Sequence, residues 1–363
     1  MSRKQMIEDR EELKQLLGWA IRIELSTIPP YATAAYTISQ AGQYDRVMPA
    51  QVNAQPMEVI RQVMVEEMLH MTLAANILNA LGGEVVLNTT DPMPGFPDCP
   101  RIPAYPCHIL PSGKGPKVHL RRFTKDQIRA FREVERAPEN FDKVKDGNCY
   151  AAETIGGFYH CVKTKLEALC DKYRSKEVFC GDPARQVHGE HYWGAGGEVF
   201  PVTGERSALR AIKMIVEEGE GADLGGRAGD GDPIPGTDDE DIAHFFKFNE
   251  ILLSRYYHAD DVIGGPPTGG ELVVDWTAVA PMRDDPKPGS YRRLPEVQAK
   301  MDNFNAIYTD LLLSLHDAFN GNPAKFTELA PVMMNLRYAA QALVRVPVND
   351  KGETAGPSWT FMG

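Results

Sequence analysis

Along the 363-residue chain, apolar stripes of helical period alternate with stretches rich in proline and glycine. The first stripe is Leu13, Leu17, Ala20, Glu24 and Ile28, with Tyr31 beyond it. Steps of three and four residues place these positions on one helical face and predict a helix over 7–28. Pro29-Pro30 removes two backbone donors and is expected to kink or break that helix, which can resume over 31–39. The second stripe, Ile60, Val63, Glu67, His70, Ala74, Ile77 and Leu81, predicts a helix over 53–81. Gly82-Gly83 supplies its stop signal.

The pattern then loosens. Residues 84–123 are dense in proline and turn residues and predict an ordered excursion with one short strand at 117–120. Thr124 caps a short helix reaching Glu135, and a longer helix covers 154–173. Residues 177–202 are glycine-rich connections. Thr203 opens a helix over 205–220 with the stripe Leu209, Ile212, Val216 and Glu220. An acidic, glycine-rich loop leads to a helix predicted over 239–257, and two amphipathic helices over 295–319 and 323–344 close the chain. The expected class is all-α. Core helices at about 7–40, 53–81, 205–220 and 239–257 would form a four-helix bundle, with a loop excursion over 84–202 and added C-terminal helices. No linker with a composition shift divides the chain, so residues 1–363 read as one domain.

Composition narrows the functional classes. The apolar fraction of 43% suffices for a globular core, and the net charge of −11 argues against nucleic acid or an anionic membrane surface as partner. No apolar run reaches a membrane-spanning length, and acidic residues follow the basic start at once, unlike a signal peptide. A cytoplasmic protein is the expectation. The six cysteines form no Cys-x-x-Cys, so structural zinc is disfavoured. Free thiols are expected, with a disulfide among the middle four as the open alternative. The sequence leaves self-association into a homo-oligomer open.

The candidate chemistry lies inside the apolar stripes. Glu24, Glu67 and His70 all fall on core-facing lines, where a carboxylate is costly unless paired or bound to a metal. Glu67-x-x-His70 is the spacing with which bundle helices present ligands to paired metal ions. Further along, an acid from Glu217, Glu218 or Glu220 precedes Asp241-x-x-His244. An acid followed by acid-x-x-His thus occurs twice, and a pseudo-twofold bundle would bring both sets to one centre. Glu220 lies on the apolar stripe and is favoured, with Glu217 retained. Asp241 is one methylene shorter than its counterpart; its other reading is a charge at a helix N-terminus. Glu66 reads as a supporting or solvated acid, His160 as a hydrogen-bonded core or surface residue, and His188 and His191 as pocket-edge residues. Carboxylates with imidazoles suit iron or manganese.

Four segments together resemble the ferritin-like family named for iminophenylpyruvate dimer synthase. They are Glu24-Leu-Ser-Thr-Ile-Pro-Pro-Tyr31, Glu66-Glu-Met-Leu-His70-Met, Ile215-Val-Glu-Glu-Gly-Glu-Gly221 and His244-Phe-Phe-Lys-Phe248. Phe304-Asn305 with Tyr308, and Asp317-Ala-Phe-Asn-Gly321, extend the likeness toward the C-terminus. The resemblance implies a ferritin-like bundle holding two transition-metal ions, iron with manganese as the alternative. It also implies an oxidative enzyme acting with O₂ on a small amino-acid-derived or aromatic substrate. Tyr31, Tyr192 and Trp193 would shape the organic pocket, with Tyr31 and Tyr192 as candidate catalytic groups. The alternative is a ferritin-like metal-binding or storage protein without an organic substrate. The large share of chain outside the core helices favours the enzyme.

Overall fold

The computed structural model describes residues 3–38, 52–137, 147–192, 197–220, 242–258, 260–262 and 264–363. Helix α1 spans Arg3–Ile38 without the interruption expected at Pro29-Pro30. Pro30 cannot donate to the Ser26 carbonyl, and the Tyr105 hydroxyl donates to that oxygen instead, at 3.1 Å. From Leu16 onward α1 is almost entirely buried, and packing on all sides outweighs a local cost of roughly 3 kcal/mol per proline. Helix α2 spans Ala54–Ala80. It stops at Gly82, whose φ of 72° is left-handed, and Gly83 N–H closes the turn onto the Leu78 carbonyl at 2.9 Å.

The excursion contains two small antiparallel ribbons, β1 (Pro92–Met93) with β2 (Phe96–Pro100) and β3 (Cys107–His108) with β4 (Lys117–Val118). Helix α3 (Lys125–Val134) follows, its first turn capped by Thr124, whose hydroxyl accepts from Gln127 N–H at 3.2 Å. Next come α4 (Ile155–Lys172) and the single turn α5 (Ser175–Val178). Cys149 and Cys161 form a disulfide, which replaces the expected free thiols at these two positions. Helix α6 spans Glu205–Glu220. Helix α7 is shorter than predicted, His244–Leu253. Helices α8 (Pro295–Phe319) and α9 (Leu329–Leu343) close the chain, the latter entered through a 3₁₀ turn at Pro323–Glu328.

Four helices pack in a ring: α1 on α2, α2 on α6, α6 on α4, and α4 back on α1. The fourth member is therefore α4, inside the stretch read as excursion, and not the helix predicted over 239–257. Helix α4 can take this place because Ile155, Phe158, Tyr159, Val162, Leu166 and Leu169 give it a continuous buried face. The short α7 instead pairs with α3 and leans on α2 and α6. Helices α8 and α9 pack on each other and reach α2 and α1 respectively. Among the described residues, no helix is long and apolar enough to cross a membrane.

Candidate metal centre

The two acid-bearing helices meet where α1 faces α2. Glu24 and Glu67 are both buried in the ring interior, close enough that the Glu67 charge opposes ionisation of Glu24. One turn on from Glu67, His70 is 1% exposed, and its Nδ1 lies 3.9 Å from Glu24 Oε2. His244 opens α7 and is fully buried. Its Nδ1 lies 2.9 Å from Glu67 Oε1 and 3.6 Å from Glu135 Oε2. Glu67, His70 and His244 each present a ligand atom, all within 4.8 Å of one another. The two imidazoles stack, centroids 5.4 Å apart. Glu24 flanks the trio beside His70, and Glu135 flanks it beside His244.

Each imidazole is held from outside in the same way. His70 Nε2 meets Glu218 Oε2 at 3.0 Å, and His244 Nε2 meets Glu66 Oε2 at 2.9 Å. An acceptor at Nε2 holds a proton on that nitrogen and turns Nδ1 toward the centre, where an ion that displaced its proton would be bound, the arrangement seen around metal-bound histidines. His244 Nδ1 is buried and has no hydrogen-bond partner of adequate geometry. A buried donor-capable atom left orphaned among carboxylates is what a ligand atom looks like without its ion. The space lined by Glu24, Glu67, His70, Glu135 and Tyr159 is about 10 Å³, near the minimum for one water-sized occupant.

The charges point the same way. Burial and the Glu67 charge push Glu24 well above the ordinary carboxylate range, and the same two causes raise Glu135. Burial opposes ionisation of Glu67 too, but the adjacent His244 and His70 hold it below its usual range. Burial alone would lower His244, yet Glu67, Glu135 and Glu66 raise it well above the usual imidazole value. Protons thus do the work that a cation would do. Tyr159 donates to Glu24 at 2.5 Å and Tyr31 donates to Glu135, steadying both acids. Lys247 donates to both oxygens of Glu66 at 2.6 and 2.8 Å. This pairing outweighs desolvation and brings Glu66 down to about 2.

The predicted residues fall as follows. Glu24, Glu67, His70 and His244 come together. Glu217 pairs with Lys213 at 3.3 Å instead, and the acid that reaches His70 is Glu218. The side chain of Glu220, and Asp241 with Trp193, lie outside the described residues. Ile242 and Ala243 are not helical, so His244 does not continue a helix from 239 and the predicted acid-x-x-His helical turn is absent. Tyr31 sits at the centre. Tyr192 does not: its hydroxyl donates to the Val65 carbonyl at 3.2 Å and its ring lines an apolar cavity. His188 and His191 contact each other, the His188 N–H donating to His191 Nδ1 at 3.2 Å. His160 is exposed, and Glu66 is buried, not solvated.

Glu135 escaped the sequence reading, although its signal was present. Ile128, Phe131 and Glu135 are spaced by three and four, so an acid ends the buried stripe of α3 just as Glu24 interrupts that of α1. Glu218 similarly continues the buried line Ala211, Ile215, and small alanines make that line faint in the sequence.

A search of curated proteins found no match. Among solved structures, a ferritin-like protein from Caulobacter vibrioides is similar over 95% of this chain and 97% of its own, with a TM-score of 0.54 and 21% identity. That likeness concerns the fold. Residues 17–253, well over half of the chain and including every described acid and histidine of the centre, match the family description "Ferritin-like", and the chain belongs to the ferritin-like family.

Proposed function

We propose that this protein is a non-haem di-metal oxidative enzyme. In this reading Glu24 and His70 hold one ion, Glu135 and His244 hold the other, and Glu67 lies between the two sets. The observation that supports it best is the paired construction around Glu67: one acid and one inward-facing imidazole on each side, each imidazole backed by its own carboxylate. An all-oxygen and nitrogen donor set suits iron, with manganese as the alternative. A bound iron pair would supply the redox capacity for O₂ chemistry. The chain's own groups do the rest. Glu66 and Glu218 retain the Nε2 protons, Tyr159 and Tyr31 orient the two flanking acids, and burial keeps bulk water from the centre.

The substrate class follows from the likeness to the iminophenylpyruvate dimer synthase type: a small amino-acid-derived or aromatic molecule. Protein loaded anaerobically with Fe(II) should hold close to two irons per chain and consume O₂ in substrate-dependent turnover. Uptake of far more than two irons per chain, without such turnover, would identify a storage protein instead. Loading of Glu67→Ala equal to that of the parent chain would remove Glu67 from the centre.

A further inference from the structure

A second space lies apart from the metal centre. A cavity of about 430 Å³ lies between α1, α2, α8 and α9, within the size range of small-molecule sites. It shares no lining residue with the space between the acids. On α2 the two sites use neighbouring faces: Glu67 and His70 turn into the ring, whereas Met64, Met68 and Met71 turn into the cavity. Its roof, α8 and α9, lies beyond the segment that matches the family description.

The lining is almost wholly apolar, with six methionines contributed from both sides. Methionine is flexible and polarisable and conforms to ligands of variable shape. Three charged residues stand in the wall: Glu58, Arg61 and Arg337. Arg61 and Glu58 neutralise each other through a two-pronged pair on the same helix. Arg337 has no ion pair among the described residues, and its positive charge acts on the buried Tyr36 hydroxyl.

We propose that this cavity binds a long-chain aliphatic monocarboxylic acid, its chain among the methionines and leucines and its carboxylate on Arg337. An apolar interior with a guanidinium that no described carboxylate pairs selects a molecule with one negative end. Flexible side chains outnumber aromatic rings in the wall, which suits a flexible chain over a planar ring system. This inference is independent of the chemistry assigned to the metal centre.

The test is a titration of the full-length chain with a fluorescent polyunsaturated C18 carboxylate, followed by displacement with oleate and with oleyl alcohol. Saturable binding of one probe per chain is expected, with oleate displacing it and the alcohol weaker by about tenfold or more, the worth of a charge-assisted hydrogen bond. Arg337→Gln should bring acid and alcohol to equal affinity. Leu312→Trp should fill the cavity and abolish binding; Met333→Trp, at a half-buried position, serves the same end should the first variant fail to fold. Absence of saturable binding, or equal affinity of acid and alcohol in the parent chain, would overturn the proposal. So would binding that survives in the filled variants.

Discussion

At Glu135 stability and function pull apart. The carboxyl ends the buried face of α3 with Glu67 nearby, and burial with that like charge raises its pKa. In the metal-free protein it is a cost; beside an ion it would be a ligand. Glu135→Gln keeps the hydrogen bond to Tyr31 and removes the repulsion. The variant is expected to melt no lower than the parent when both are metal-free, and to hold about one ion fewer per chain after loading. Calorimetry on chelator-treated protein, beside metal analysis of the loaded protein, checks both halves. A merely structural residue would lower the melting temperature and leave the metal content alone.

At the scale of single elements, α1 shows how a distant residue rescues a local defect. Two consecutive prolines inside a helix leave carbonyls without donors, and the oxygen of Ser26 finds its donor in Tyr105, 79 positions away. Tyr105→Phe retains the ring and removes the donor. A buried carbonyl left unsatisfied costs about 1–3 kcal/mol, and urea denaturation should show that loss with an unchanged slope. Because Glu24 lies two residues before Ser26 on the same helix, metal affinity should fall as well. An unaffected denaturation midpoint would mean that water replaces the hydroxyl. The ring of helices teaches a related point: α4 won the fourth position over the helix predicted at 239–257 through the length of its buried face.

For the whole molecule, Glu24, Glu135, His244 and Glu66 make stability depend on pH in two opposed ways. Glu24 and Glu135 have folded pKa values raised above the ordinary 4.5, so the metal-free protein gains stability as pH falls toward 4.5. His244, raised above 6.5, acts in the same direction: its contribution is complete below 6.5 and lost as pH rises through its folded value. Glu66, depressed to about 2, contributes above 4.5 and loses that contribution between 4.5 and 2, on the order of 3 kcal/mol. Metal-free protein should therefore be most stable in weakly acidic solution. Metal loading should reverse the upper limb, because the ions compete with these protons and bind better as pH rises. At a hundredfold excess over Kd a bound ion adds about 2.7 kcal/mol. Melting curves from pH 3 to 9, with and without Fe(II) under anaerobic conditions, test this; parallel curves would exclude metal from the buried acids.

The sequence by itself determined the helical class and most helix positions, because a buried face must repeat every three to four residues whatever it packs against. It also determined that Glu24, Glu67 and His70 share an unusual status, since a charge on an apolar stripe is improbable without a partner. What it left undecided was which stripes would meet. Glu135 bears the same signature as Glu24, but only the packing of α3 on α7 brings it beside His244. Glu218 takes the place of Glu217 beside His70, a choice the sequence hid because the buried line of α6 runs through alanines, which give little contrast in a hydropathy pattern. His244 arrives without a preceding helical turn, so its place came from tertiary contact and not from an internal repeat. Helical period is a property of the local backbone and can be read one segment at a time. The choice of partner is a property of surfaces that fit, and it exists only once the chain has closed on itself.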